Sequence, residues 1–310
     1  MNGENRRKSQ PAVAPWSKTK LTGASHWDKV RNGAAKVRLV KGKFLCFVTG
    51  AGNGLGRAIA GMAFQDQGIL PDAMSGSRVI LVDKDEDALK ETSGKKMRQF
   101  LKHRKIEVEL EVVDLCDLGE MQKLCDRLDK KQSKDYEHVI FVNNASSLGD
   151  PAKSLIDLED PEEMARYWNV NITSRIFMTT QFCRIFQHSK RTVVHTVRYE
   201  SATPNPYLGP SCMAASAIET FAQTFAKENP AVRVLHFTAG ALDTKRTHRL
   251  MESCKNEHLK EDLTKIKDEN KLTNPLEAAK RMIRFIEGDD FTKGEFLSVH
   301  DKDLEEQQHQ

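Results

Sequence analysis

A chain of 310 residues with 39% hydrophobic content has the length and composition for one large α/β core with extensions. No apolar run reaches the ~18–20 residues of a membrane span. The net charge of +4 is unevenly placed: residues 1–43 hold 11 Lys/Arg and 2 Asp/Glu, and the remainder, with 37 basic and 42 acidic side chains, stands at −5. A mildly acidic body argues against nucleic-acid binding. Six cysteines (Cys46, Cys116, Cys125, Cys183, Cys212 and Cys254) are scattered without a CxxC pair, a pattern of buried free thiols rather than of a disulfide frame or zinc site. The expectation is a cytoplasmic protein with no bound metal and no membrane contact.

Residues 1–43 are polar, contain Pro11 and Pro15 and lack sustained periodicity, so a disordered basic tail is expected. A presequence or electrostatic tether is the other reading of such a segment, but Glu4 and Asp28 interrupt the charge. Residues 44–57, FLCFVTGAGNGLGR, then give a short apolar strand, a turn with Gly50, Gly52, Gly54 and Gly56, and a helix start running to about residue 67. Strand, glycine turn and helix N-terminus together make a phosphate-binding corner. Glycine permits the tight turn, and free N–H groups face the negative charge.

A loop at 68–77 leads to a second buried strand, 78–83, ending at Asp83. An acid there bonds ribose hydroxyls and repels a 2′-phosphate, which favours NAD; Lys84 beside it would tolerate that phosphate. Asp83 also has a plainer reading, as the cap of the helix that follows. Further on, the pattern gives a charged helix at 86–104 with Gly94 as its weak point, and a strand at 106–113 running into Asp114 and Leu115. A helix at 118–130 and a strand at 138–142 follow, the strand running into Asn143-Asn144-Ala145. Beyond these come a long helix at 161–187, a strand at 192–197, a helix at 211–227 and a strand at 232–237. Helices at 249–267 and 275–287 and a strand at 295–300 complete the series. Alternating strands and helices imply a doubly wound parallel sheet of Rossmann type in a single domain, 44–303, with a polar tail at 304–310. Ligands bind at the carboxyl ends of such strands, where the glycine turn, Asp83, Asp114 and 143–145 all fall. His195 and His236 sit in apolar strands as core histidines.

These motifs resemble the short-chain dehydrogenase/reductase family: Thr49-Gly50-x3-Gly54-x-Gly56, Asp114-Leu115 and Asn143-Asn144-Ala145. Longer strings, at 143–150, 167–174 and 240–244, resemble the branch that reduces a carbonyl on a pterin side chain. The resemblance implies a nicotinamide cofactor, NAD or NADP, a homodimer built on two long helices, and a pterin-like small molecule as substrate. It places Gly50, Asn53, Gly54, Leu55 and Gly56 at the pyrophosphate and ribose, and Asp114 and Leu115 at the adenine. Asn143 and Ala145 fall at the cofactor ribose, and Leu242 and Thr244 near the carboxamide. That branch carries arginines for the 2′-phosphate where Asn53 and Lys84 stand here, so the lean to NAD strengthens. A lid over the substrate corresponds to 245–270.

Carbonyl reduction also needs a proton donor, a group that tunes its pKa and a hydroxyl that holds the carbonyl oxygen. Aligned on the family, those tyrosine, lysine and serine positions carry Ser211, Ala215 and Arg198, and residues 192–226 contain no lysine. Asn171 matches the asparagine that holds a relay water in the family; bonding to its own helix is its plainer role. Ser298 stands at the place of a substrate-holding aspartate, and Ala239-Gly240 at that of a Pro-Gly pair. Tyr199 and Tyr207 lie near, but a phenol without an adjacent cation titrates near ~10. Three functions stay open: a dinucleotide-binding pseudoenzyme acting as sensor or scaffold, which is favoured; an active reductase using Arg198, Ser211 or a nearby tyrosine; and a structural protein that binds neither ligand.

Overall fold

The computed structural model describes residues 42–62, 75–103, 105–130, 136–198, 204–288, 291 and 294–300. The tails predicted at 1–43 (but for its last two residues) and 304–310, the end of the first helix beyond Met62, the loop at 63–74 and Tyr199 lie outside them.

Strand β1 (Phe44–Thr49) is buried at every residue. Side chains alternate along a strand, and so Phe44, Cys46 and Val48 enter one apolar cluster while Leu45 and Phe47 enter another. A strand apolar on both faces must be covered on both faces, and β4 and β6 are likewise buried throughout, whereas the edge strands β3 and β7 are largely half-buried or exposed. In chain order β1 is followed by α1 (Gly54–Met62), β2 (Arg78–Asp83), α2 (Glu86–Thr92), α3 (Lys95–His103), β3 (Glu107–Val112) and α4 (Leu118–Lys130). Then come β4 (His138–Asn143), α5 (Pro161–Trp168), a π-helical turn (Asn169–Thr173), α6 (Ser174–Ile185), β5 (Lys190–Val197) and α7 (Gly209–Glu228). The series ends with β6 (Val232–Thr238), α8 (Lys245–Ser253), α9 (Glu257–Asp268), α10 (Pro275–Gly288) and β7 (Glu295–Ser298).

The seven strands form one parallel sheet in the order β3-β2-β1-β4-β5-β6-β7. The reversal between β1 and β4 opens a crevice at the strands' carboxyl ends, where Thr49 and Asn143 finish. One face is covered by Ile59 and Ala60 of α1 and Met282, Ile283 and Phe285 of α10. On the other, Leu124 of α4, Phe182 of α6 and Phe225 of α7 pack on Phe47 and Phe141. Phe47 and Phe141 meet edge to face at 5.3 Å, and Phe182 lies 5.1 Å from Phe141. Each such ring removed from water contributes roughly 1.5–3 kcal/mol, so this aromatic group fixes the α6 side of the sheet. Burial pushes the thiols of Cys46, Cys125 and Cys183 up to about 12, which makes them inert apolar fillers.

Three predicted helices are each interrupted. The helix expected over 86–104 is α2 and α3, separated at Ser93–Gly94, where Ser93 closes α2 by donating its N–H to Leu89 O at 2.9 Å. The one expected over 161–187 is α5 and α6 joined through the π-helical turn. The one expected over 249–267 is α8 and α9, because Cys254 is extended and Asn256 starts a new helix by accepting from Leu259 N at 3.2 Å. Leu250, Leu259 and Leu263 of this pair are buried with Leu148 and Leu208, so α8 and α9 pack on the loops above the sheet edge.

Candidate functional site

The glycine turn leaves no room for side chains. Gly50 and Gly54 have φ of +66° and +51°, in the left-handed region. A Cβ on Gly50 would lie 2.9 Å from Ala145 Cα, one on Gly52 would lie 2.9 Å from Asp83 Oδ2, and one on Gly56 would run into the Gly50 carbonyl. Carbonyls of the turn are engaged from behind: Arg57 donates to Gly52 O at 2.6 and 2.8 Å, and Thr92 donates to Ala51 O at 3.0 Å. Asn53 is exposed at the start of α1, and Leu55 and Gly56 are buried in its first turn. Such a backbone cradle at a helix N-terminus has the shape and polarity that a pyrophosphate needs.

Asp83 joins the same corner. Its Oδ2 accepts from Gly52 N at 2.9 Å and its Oδ1 from Asp85 N at 3.2 Å. The cap of α2 is Asp85, which accepts from Ala88 N at 2.9 Å, so Asp83 is not the cap. A carboxylate with two amides on it keeps lone pairs for ribose hydroxyls. Asp114 is fixed likewise: its Oδ1 accepts from Cys116 N at 3.1 Å, and its own N–H donates to Glu120 at 2.8 Å.

A cavity of about 610 Å³ runs along these strand ends, lined by Gly50, Asp83, Lys84, Asp114, Leu115 and Ala145. At its other end stand Tyr167, Tyr207 and Ser211. Asn53, Gly54, Leu55, Gly56, Leu242 and Thr244 lie off the wall. Thr244 caps α8 by accepting from Thr247 N at 3.4 Å, and its methyl group would meet a Cβ on Gly54 at the same distance. Leu242 pairs with Thr273 in an isolated bridge. Asn143 also departs from the cavity: it is buried, and its amide donates to Arg175 O at 2.9 Å on α6.

Asn144, whose side chain was given no role in the sequence, is the joint between strands. Its amide donates to Thr49 O at 3.1 Å and Gly50 O at 3.3 Å, and the Thr49 hydroxyl accepts from the N–H groups of Asn144 and Ala145, each at 3.0 Å. The doubled asparagine at a strand end was the available signal.

Of the altered positions Ser211 lines the remaining end of the cavity, while Arg198, Ala215 and the retained Asn171 lie off its wall. Asn171 lies in the π-helical turn and is buried: Nδ2 donates to Tyr167 O of its own helix at 3.0 Å, the plainer role considered for it, while Oδ1 accepts from Ser147 N at 3.0 Å. Arg198 extends from the end of β5, donating to Ser211 Oγ at 3.1 Å and to Ser147 O. Ala215, one turn further along α7, brings only a methyl group. Lys153 lines the cavity, but its ammonium pairs with Glu163 at 2.7 Å. Tyr207 holds φ +63° in the wall, a conformation a tyrosine adopts only when its surroundings impose it.

Tyr167 was overlooked as a source of chemistry. Its hydroxyl is buried beside Ser211 without a well-formed hydrogen bond. Burial raises this phenol above its ordinary value, with Arg198 and Ser211 pulling it partly back, so it stays protonated at neutral pH. Arg175 sits beneath, 5% exposed, donating to the carbonyls of Asn143 at 2.8 Å and Thr196 at 2.7 Å. Burial, with Arg198 second, lowers its guanidinium to about 9, and it remains charged at pH 7. A third arginine, Arg246, donates to the Ser146 hydroxyl at 2.9 Å and carbonyl at 2.8 Å.

His195 and His236 are opposite one another in β5 and β6, both buried, with no hydrogen bond to any ring nitrogen among the described residues. Burial first, and Arg175 second, lower both, His236 to about 3, so both are neutral core residues. Among the described residues no three His, Cys, Asp or Glu side chains gather as a metal site, and no helix is long and apolar enough to cross a membrane.

Comparison with known proteins places this geometry. Sepiapterin reductase of Bos taurus is 28% identical over 268 residues, covering 84% of this chain and 96% of that protein. Among solved structures, L-sorbose reductase from Gluconobacter frateurii, complexed with NADPH and L-sorbose, superposes with a TM-score of 0.66 at 19% identity, covering 85% of this chain and 97% of that one. The 3-ketoacyl-(acyl-carrier-protein) reductase from Brucella melitensis, complexed with NADH, gives 0.63 at 19% identity, covering 84% and 97%. The family model for short chain dehydrogenase matches residues 45–255, from the first buried strand through the glycine cradle and the altered corner to the end of α8. With its sheet order and its glycine turn, the chain belongs to the short-chain dehydrogenase/reductase family.

Proposed function

We propose that this protein binds a nicotinamide dinucleotide along the cavity from Asp114 to Ser211, with NAD preferred, and that it has given up the carbonyl reduction of its relatives to act as a sensor of the dinucleotide or a scaffold. One observation carries the second half. The Arg198 guanidinium spans Ser147 O and Ser211 Oγ at the position where the family holds a substrate carbonyl. An arginine is always charged and is too weak an acid to protonate an alkoxide efficiently at neutral pH, and Ala215 supplies no ammonium. Asp83, fixed against Gly52 N, supports the lean to NAD. When bound, the dinucleotide would supply redox capacity, and Gly50, Asp83 and Asp114 would hold its phosphate and adenosine portions.

The same reading makes the protein a cytoplasmic homodimer joined through α6 and α7. Met213, 46% exposed on α7, supports such a surface. A pterin-like molecule is the ligand that likeness to sepiapterin reductase supports for the far end of the cavity.

Thermal-shift titration of the full chain with NAD⁺, NADH, NADP⁺ and NADPH tests the binding half. A rise with NADH that exceeds the rise with NADPH is expected, and no rise with any of the four overturns it. Incubation with sepiapterin and the better-bound reduced dinucleotide tests the rest: no turnover is expected, and measurable turnover lost in the Gly56→Val variant would reverse the conclusion.

A second reading, an active NAD(P)H-dependent carbonyl reductase, is favoured by Tyr167, whose protonated hydroxyl shares the cavity end with Ser211 and feels the charge of Arg198. It requires that Tyr167→Phe lower the rate about 10²–10⁴-fold while leaving dinucleotide affinity in place.

A further inference from the structure

Away from the dinucleotide cavity, positive charge collects on α2 and α3. Residues 44–310 are mildly acidic as a whole, yet a cleft of about 530 Å³ is walled there by Lys90, Lys95, Arg98 and Lys102, with Gly94 and Gln99 and without an acid. None of these residues lines the larger cavity. Lys95, Arg98 and Lys102 stand at i, i+3 and i+7 of α3, on one face of that helix. Lys90 in the last turn of α2 is matched by Glu86 at 2.8 Å. The three cations of α3 have no carboxylate partner among the described residues, and the first turn of α3 holds no acid. Glu91, near the end of α2, is taken by Arg57 at 2.7 Å. Arg98 is held by neutral oxygens instead: Nε donates to Ser93 O at 2.9 Å and Nη2 to Ser93 Oγ at 2.8 Å, so Nη1 keeps its donors for a ligand. Like charges at these helical spacings repel and weaken the helix, a cost that a bound anion removes.

We infer that this cleft binds a phosphate monoester. The site is separate from the dinucleotide cavity and does not depend on that cavity being filled. A monoester is close to a dianion at neutral pH and carries both charges on one group with three acceptor oxygens. Ammonium groups serve phosphate as point charges, while the guanidinium of Arg98, already fixed on Ser93, supplies directed donors. A carboxylate or a phosphodiester brings one charge per group, half of what three unneutralised cations on one helix face can hold. The amide of Gln99 adds a neutral donor to the wall, and the cleft leaves room for the organic part of the ester.

Isothermal titration of the full chain tests this, with phenyl phosphate as the probe and benzoate as its singly charged counterpart, each with and without NADH. In the unmodified protein phenyl phosphate is expected to bind at least about tenfold more tightly than benzoate, and equally well in the presence of NADH. Arg98→Gln, and separately Lys95→Gln with Lys102→Gln, are each expected to weaken it about tenfold. Equal affinity for benzoate, displacement of phenyl phosphate by NADH, or indifference to these substitutions overturns the inference. Tighter binding of a single-stranded oligonucleotide, whose phosphates are diesters, overturns it too. Co-sedimentation with phosphatidylcholine vesicles containing about one fifth phosphatidic acid, itself a monoester, or about one fifth phosphatidylserine, identifies the source of the group. Capture by phosphatidic acid alone assigns a lipid headgroup, no capture by either assigns a soluble ester, and equal capture by both overturns the inference.

Discussion

The turn after β1 and the corner after β5, where Arg198 donates to the wall residues Ser147 and Ser211, flank one cavity and have fared differently. At β1 every feature answers to one steric demand: three glycines leave no space for a Cβ, and Asp83, Arg57 and Thr92 hold the turn by its amides and carbonyls. At β5 the surrounding frame stands, with Asn171 still gripping Ser147 N, but the groups within it are an arginine, a serine and an alanine. A phosphate cradle made of backbone cannot be altered without moving backbone. A proton relay made of side chains can be replaced while the sheet beneath it stays packed.

The largest test of that contrast is at the cradle. Gly56→Val forces a side chain into the Gly50 carbonyl, and titration with NADH is expected to show affinity reduced beyond detection, with about 1–3 kcal/mol of stability lost in urea. Next comes the other end: restoring the relay with Arg198→Ser, Ser211→Tyr and Ala215→Lys together is expected to raise sepiapterin reduction about hundredfold or more above the parent, followed by NADH absorbance. No gain in a folded, NADH-binding triple variant would mean that more than the relay has gone. A smaller effect belongs to the joint between the two regions. Thr49→Val removes the acceptor of two amides and is expected to cost about 2 kcal/mol in chemical denaturation.

The buried histidines of the sheet should respond to acid. His138 and His236 are lowered to about 3 by burial, so the folded state keeps them neutral where the unfolded chain, titrating near 6.5, binds protons. Stability from this source is present above pH 6.5 and is lost as pH falls toward 3. Between pH 5.5 and 4.5 the parent is expected to lose about 1 kcal/mol more than a His236→Gln variant, measured by urea midpoints at each pH. The smallest shift is in cofactor choice. Asp83→Ser is expected to move the ratio of NADPH to NADH affinity severalfold toward NADPH, since Lys84 stays beside the ribose end of the cavity.

Local pattern was enough for much of the sheet. β1, β2 and α4 begin and end where apolar runs and helical periodicity put them, because those signals are carried by neighbouring residues. The breaks were harder. Gly94 marked one, but the stop at Cys254 comes from an extended residue between two charged helices whose apolar stripe continues through it. In the site, the glycines and Asp83 were legible because each answers to a local geometric need. Arg175 was not: its importance arises from carbonyls of β4 and β5, 32 and 21 residues away, which no window along the chain brings together. Tyr167 was hidden for the same reason, being on α5 while Arg198 follows β5 and Ser211 belongs to α7.

The five-residue turn at Asn169–Thr173 has a consequence for how this lineage can change length. An α-helix advances about 100° per residue, so a wider turn holds one residue that an ordinary coil would not. Deleting a single residue there would turn the stretch into an ordinary helix and leave Met178 and Phe182 facing the sheet, because the wide turn makes the same full rotation with one residue more. A change of one residue can therefore be absorbed in this stretch, beside the cavity wall at Val170, while the aromatic packing further along the rod keeps its place.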